Sequence, residues 1–207
     1  YGHHMTTIEG GMISTNSREI DRLAKMKRGH GLLRDSQDKK FINLNIRKYK
    51  DLNDDFIFTT SGFNLRNTEL SAVLGIQQLK RLNNNIRIRN KNHKLFLQQL
   101  RGDIFFKDFD LNGSSNYGLH LILKSKNTKL FKKILNLLDK KFIEYRLGSL
   151  GNQLRQPYLK KLKPLYSFRL LKNTEHMHFF SVYIGNHQFL GEKKIIDLCK
   201  SLKKLNS

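Results

Sequence analysis

From residue 117 onward the apolar residues switch back and forth between two periods, and this constrains the fold more than any other feature of the chain. Tyr117, Leu119, Leu121 and Leu123 alternate with other residues, as a strand requires. Over 128–141, Leu130, Ile134, Leu137 and Leu138 fall on one helical face. Residues 142–147 read as a second strand and 180–184 as another. A loop carrying Pro157 and Pro164 lies between them, and residues 192–205 read as a closing helix. Strands alternating with amphipathic helices predict an α/β lobe, because each apolar stripe must be covered by a neighbouring element.

The first half is less regular. Residues 11–15 read as a short strand. Ser17 stands where a helix N-cap belongs, Ile20, Leu23, Ala24 and Lys27 follow at helical spacing, and Gly29 ends the run. Residues 30–61 show weak periodicity and are expected to be a long ordered loop region. A second helix is predicted from about Thr68, with Glu69 suited to its first turn. Leu70, Val73, Leu74, Gln77 and Leu79 mark its expected buried face, and a further amphipathic stretch runs through Ile86, Arg89, His93, Phe96, Leu97 and Leu100. A strand so close to residue 1 lacks its sheet partners, so the chain is expected to begin partway through a domain.

At 207 residues there is room for one domain or two small lobes. The formal charge of +22 first points to nucleic acid, whose phosphates Lys and Arg neutralise. The lysines, however, are spread over most predicted helices, as in 129–141 and 193–204, where they occupy solvated faces. No zinc-finger, helix-turn-helix or aromatic RNA-binding pattern accompanies them. A basic nucleic-acid-binding protein therefore stands only as the reading from another class. Cys199 is the one cysteine, which excludes an internal disulfide and any cysteine-built zinc or iron–sulfur centre within these residues. No apolar run approaches the roughly 20 residues a membrane helix needs. The N-terminus carries no leader pattern. These features predict a cytoplasmic protein with no bound metal.

The opening segment reads Tyr-Gly-His-His-Met-Thr-Thr-Ile-Glu-Gly-Gly. It resembles the DegT/DnrJ/EryC1/StrS family of sugar aminotransferases, where a cofactor lysine is followed by a Met-Thr-Thr element and then Glu-Gly-Gly. Counting back from Glu9 puts His3 at the lysine position. Other stretches agree, in order: Arg28-Gly29-His30-Gly31, then Asn64-Leu65-Arg66-Asn67-Thr68-Glu69 opening a helix, then Ala72-Val73-Leu74-Gly75. Near the end, Gly151-Asn152-Gln153-Leu154-Arg155-Gln156-Pro157 and Tyr183-Ile184-Gly185-Asn186-His187 look like members with histidine in place of the lysine.

The resemblance implies a fold-type-I pyridoxal-phosphate transferase fragment. Residues 1–62 would be the end of the large cofactor-binding domain, 63–110 bridging helices, and 111–207 the C-terminal small α/β domain. Imidazole cannot form the imine that a lysine forms with pyridoxal, so the cofactor would be held noncovalently, in its pyridoxamine form. His3 would then move protons, as imidazole does near neutral pH. Members with this replacement are similar to 3-dehydratases of nucleotide-linked 4-keto-6-deoxy sugars. The lone cysteine favours the version without an iron–sulfur cluster, in which glutamate regenerates pyridoxamine phosphate. A lysine-dependent sugar aminotransferase is the alternative, and the nearest lysine to the motif is Lys25. Asn64 would reach the cofactor phosphate of a neighbouring subunit, implying a homodimer with shared active sites. Arg155, Asn152 and His187 would contact the sugar nucleotide or the glutamate carboxylate. The bland alternatives are a capping or core histidine for His3, a turn residue for Asn64 and a surface arginine for Arg155. Gly2-His3-His4-Met5 also has the composition of an expression-tag remnant, but Thr6 to Gly11 continue the family pattern without a break. Family chains are about twice this long, so this one is not expected to be active alone.

Overall fold

The computed structural model describes residues 4–148, 151–160 and 171–206. The chain divides into two compact units, Met5–Gln78 and Leu79–Ser207 together with Tyr1–His4.

In the first unit, helix α1 (Arg18–Arg28) begins where the sequence places it. The Ser17 hydroxyl accepts from the Ile20 amide at 3.3 Å. Glu19 and Asp21 lie in the first turn and Lys25, Lys27 and Arg28 in the last, the order the helix dipole favours. The amides of Gly29 and Gly31 both return to the Met26 carbonyl, at 3.0 and 2.7 Å. The expected loop over 30–61 contains a helix, α2 (Lys39–Lys48), and two 3-10 turns, Leu33–Ser36 and Asp54–Phe56. Helix α2 escapes a periodicity search because it buries no residue fully. Its signals are the ends. The Asp38 carboxylate caps the Phe41 amide at 3.1 Å, and Arg47 and Lys48 close the last turn. That amide, followed by Arg18 and Arg22, holds the Asp38 carboxyl below its usual range. The strand expected over 11–15 is also absent. Those residues are exposed and unpaired among the described residues, and a strand exists only by virtue of a ladder partner.

Helix α3 (Glu69–Gln99) is one continuous run of 31 residues where two stretches were expected. Its first part, to Gln78, belongs to the first unit. The face expected to be buried there is exposed, with Leu70 76% accessible and Val73 and Leu74 likewise open, and Leu79, the next residue of the expected face, is exposed too. Periodicity reports that a stripe needs a cover, not where the cover comes from.

The second unit holds a three-stranded sheet of β1 (Gly118–Ile122), β2 (Tyr145–Leu147) and β3 (Ser181–Gly185), in the order β1-β3-β2. β3 is antiparallel to both neighbours, with Ile184 opposite Leu119 on one side and Tyr145 on the other. β1 and β2 are therefore parallel to each other, and α4 (Thr128–Lys140) makes the crossover between them. Leu119, Leu121, Val182 and Ile184 are buried with Leu130, Ile134 and Leu138 of α4 and Ile195, Leu198 and Leu202 of α7 (Glu192–Lys203) in one core cluster. Phe96, Leu97 and Leu100 at the end of α3 complete it. Cys199 lies in this core, where burial pushes its thiol up to about 11. His120 and Tyr183, opposite one another in register, stack at 5.4 Å. Two short helices, α5 (Pro157–Lys160) and α6 (Lys172–Phe180), lie in the segment read as a loop.

Ile134→Ala and Leu138→Ala remove side chains 0–1% exposed and should each cost about 2–5 kcal/mol of unfolding free energy. Leu70→Ala should change it by less than about 0.5 kcal/mol in the chain alone. Urea denaturation followed by circular dichroism checks both.

Candidate functional site

In the first unit, the segment carrying Asn64 is pinned by its backbone to the end of α1. The Phe63 amide donates to the Lys27 carbonyl at 2.6 Å, the Leu65 amide to Arg28 at 3.0 Å, and the His30 amide to Phe63 at 2.7 Å. Gly31 lets the chain pass. Its φ is +89°, and a Cβ there would lie 1.7 Å from the Thr60 carbonyl oxygen. Arg66 pairs with Asp35 at 3.3 Å. The result is a rigid backbone presenting an exposed Asn64 carboxamide, which can donate two hydrogen bonds to an anion.

In the second unit, Arg89, Tyr117, Glu144, Tyr145, Arg146, Tyr183, Gly185, Asn186, His187 and Phe189 line an open basin of about 920 Å³. Its floor is a buried polar network centred on Asn186. The Asn186 Nδ2 donates to the carbonyls of Arg89 and Asn116 at 3.0 and 2.9 Å, and its Oδ1 accepts from Asn92 at 3.3 Å. The Asn186 amide donates to the Tyr117 carbonyl at 2.6 Å. Tyr117 and Tyr183 meet edge to face at 5.9 Å. Burial first, and then Tyr117 beside it, push the Tyr183 phenol above its ordinary value. His93 is buried with its Nδ1 3.4 Å from Asn116 Nδ2. Burial lowers the pKa of His93, and burial followed by the neighbouring His93 lowers that of His120.

A third cluster surrounds Glu175 on α6. The Arg155 Nε and Nη2 reach its two carboxylate oxygens at 2.8 and 2.5 Å, and Asn152 Nδ2 donates to Oε1 at 2.5 Å. The His178 Nδ1 accepts from the Asn152 amide at 3.1 Å, and the Arg155 guanidinium stands 4.9 Å over the Phe179 ring. Arg155, then Asn152, hold the Glu175 carboxyl down to about 2.

The structure thus brings two of the sequence-predicted residues together, Asn152 and Arg155, around a carboxylate that sequence reading did not single out. His187 lines the basin instead, and Asn64 belongs to the other unit. His3 lies outside the described residues. Its neighbour His4 hydrogen-bonds the Ser115 carbonyl through Nε2 and sets its ring 6.4 Å from Tyr117, at the rim of the basin. Glu175 and Tyr117 were missed because no motif marks them; Tyr183 and Asn186 lie in the motif that ends at His187, from which only His187 was taken as a site residue. Arg89 was visible only as a charged residue on an apolar helical face.

The profile of the DegT/DnrJ/EryC1/StrS aminotransferase family matches residues 1–203. The chain is 29% identical over 189 residues to the GDP-4-keto-6-deoxy-D-mannose 3-dehydratase of Escherichia coli O55:H7, covering 91% of this chain and 48% of that protein. It is 28% identical over 206 residues to a protein of the same name from Yersinia pseudotuberculosis, covering 99% and 52%. Among solved structures it superposes on a GDP-4-keto-6-deoxymannose-3-dehydratase with a trapped PLP-glutamate geminal diamine. The TM-score is 0.76 at 28% identity, over 98% of this chain and 52% of that one. The chain spans about half the length of the curated relatives it matches. Its fold is the α/β architecture of these pyridoxal-phosphate enzymes, over their matched part.

The shifted groups set two pH windows. His93 and His120 bind protons less readily folded than unfolded. The stability tied to their neutral forms is therefore complete above about pH 6.5 and declines as pH falls below it. Glu175, depressed from 4.5 to about 2, holds its contribution above 4.5 and loses it toward 2. Melting temperature against pH should show both declines, with a His93→Gln, His120→Gln double variant flattening the upper and Glu175→Gln the lower.

Proposed function

The chain belongs to the DegT/DnrJ/EryC1/StrS aminotransferase family, and on that basis we propose that it serves the 3-dehydration of a nucleotide-linked 4-keto-6-deoxyhexose. By likeness to its relatives the nucleotide is GDP. The observation that carries this reading is His3, an imidazole where the family's lysine stands, in a chain whose relatives at 28–29% identity are named 3-dehydratases. A neutral imidazole takes a proton from carbon and returns it to a leaving oxygen near neutral pH, but it forms no imine. His3 is the proton carrier in this scheme.

The donor set suits a noncovalently held pyridoxamine phosphate. The exposed Asn64 carboxamide, on its pinned backbone, offers N–H groups to the phosphate, and the lysine nearest to the opening motif in sequence is Lys25. When bound, the pyridine ring supplies the electron sink for the reaction. Glutamate returns the amino group, in line with the glutamate adduct of the superposed relative. The tail of the large domain over 1–62, the bridge over 63–110 and the small domain from 111 follow from the same reading. So does a cytoplasmic setting. His187 and the Asn152–Arg155 pair face the substrate in this scheme.

A homodimer completes the proposal. In the first unit Phe63, Leu65, Leu70, Val73 and Ile76 are all more than half exposed, an apolar surface of the kind that marks a protein interface. A second copy laid there covers the face and carries Asn64 to the partner's cofactor.

Borohydride reduction after loading with pyridoxal phosphate, followed by intact mass, tests the chemistry. It applies to the chain as it stands and to the chain fused behind the first half of the Escherichia coli relative. Retained cofactor with no covalent adduct is expected. A stoichiometric adduct on a lysine transfers the assignment to a sugar aminotransferase. For the dimer, Val73→Asp should weaken self-association at least about tenfold in sedimentation equilibrium, and a wild-type chain that stays monomeric refutes the assembly.

A further inference from the structure

Arg89 is the one buried Lys, Arg, Asp or Glu among the described residues, 4% exposed. Its Nη2 donates to Gln188 Oε1 at 3.2 Å, but Nε and Nη1 have no acceptor. Among the described residues no carboxylate pairs with it. Glu144 lines the same basin, but it is exposed and stands 3.7 Å from Arg146. A buried cation without an anion is unfavourable, and it persists where something outside the fold supplies the charge. Arg155 presents the opposite case, its fork already filled by Glu175. Around Arg89 the basin adds the Arg146 guanidinium, the three phenols of Tyr117, Tyr145 and Tyr183, and His187. Its Tyr117 rim meets His4, the neighbour of the proton-carrying position.

We propose that the Arg89 basin is an oxyanion site, taking the phosphate or carboxylate end of an anionic substrate. A guanidinium gives two parallel N–H bonds to such a group, which a lysine ammonium does not. Nε and Nη1 are shielded from solvent, so a turn about the last side-chain torsions brings the fork to the anion. The site deepens the dehydratase reading and depends on it only for the anion's source, which is the sugar-nucleotide diphosphate or the glutamate amino donor.

Isothermal titration of the whole chain in low-salt buffer, with inorganic pyrophosphate in one arm and L-glutamate in the other, tests the site. Saturable binding of either supports it, pyrophosphate assigning the diphosphate and glutamate the amino donor. Arg89→Met should weaken that binding at least about tenfold and Arg89→Lys less. Without anion, Arg89→Met should melt at or above the wild-type temperature, because it removes an unpaired buried charge. No binding in either arm overturns the proposal, as does equal binding by the Met variant. So does a Met variant that unfolds while Arg89→Lys keeps wild-type affinity, which makes Arg89 a structural strut. A lysine adduct in the borohydride experiment removes the dehydratase reading and leaves this site standing.

Discussion

The Asn186 side chain is the polar joint on which the second unit depends. It is buried, and each of its hydrogen-bonding groups is used. Through them it fastens the end of β3 to α3 at Arg89 and Asn92, and to the segment entering β1 at Asn116. A buried amide left unsatisfied costs more than a single hydrogen bond gains, so the joint tolerates few other arrangements. Tyr117, Tyr183, His187 and Arg89 all sit within a residue or two of the elements it ties, or on them. The basin is a consequence of that one satisfied amide and of β3 lying between β1 and β2.

The two arginines of the second unit show how context divides identical chemistry. Arg155 and Glu175 form a two-pronged pair that Asn152 reinforces, so the charge is spent inside the protein. Arg89 is more deeply buried and, among the described residues, pairs with no carboxylate. Sequence reading gave the anion-binding role to Arg155 because it lies in a recognisable motif. The structure gives the unmatched charge to Arg89, which lies in none.

Much of the fold was legible. Helix α1, the strands near 119, 145 and 183, and helices α4 and α7 stand within a few residues of their expected places, because caps and strong amphipathic stripes are local. Helix α2 was not legible, since it buries nothing fully and only its ends announce it. The segment 11–15 has strand composition but no ladder partner. Of the candidate site, the motif around Asn64 was readable and its pinning to α1 was not, as those hydrogen bonds join residues more than thirty positions apart.

Sequence alone determined the chemistry on offer: a histidine at position 3, one cysteine, and the order of motifs that marks the family. It also determined where α1 and α4 start, because a capping side chain reaches only two or three residues. Tertiary structure decided which arginine is neutralised, which apolar stripe stays open and which side chains meet at the basin. Those outcomes depend on partners 20 to 99 residues away, such as Glu175 for Arg155 and Gln188 for Arg89. Periodicity and local motifs carry no information about which distant segment arrives.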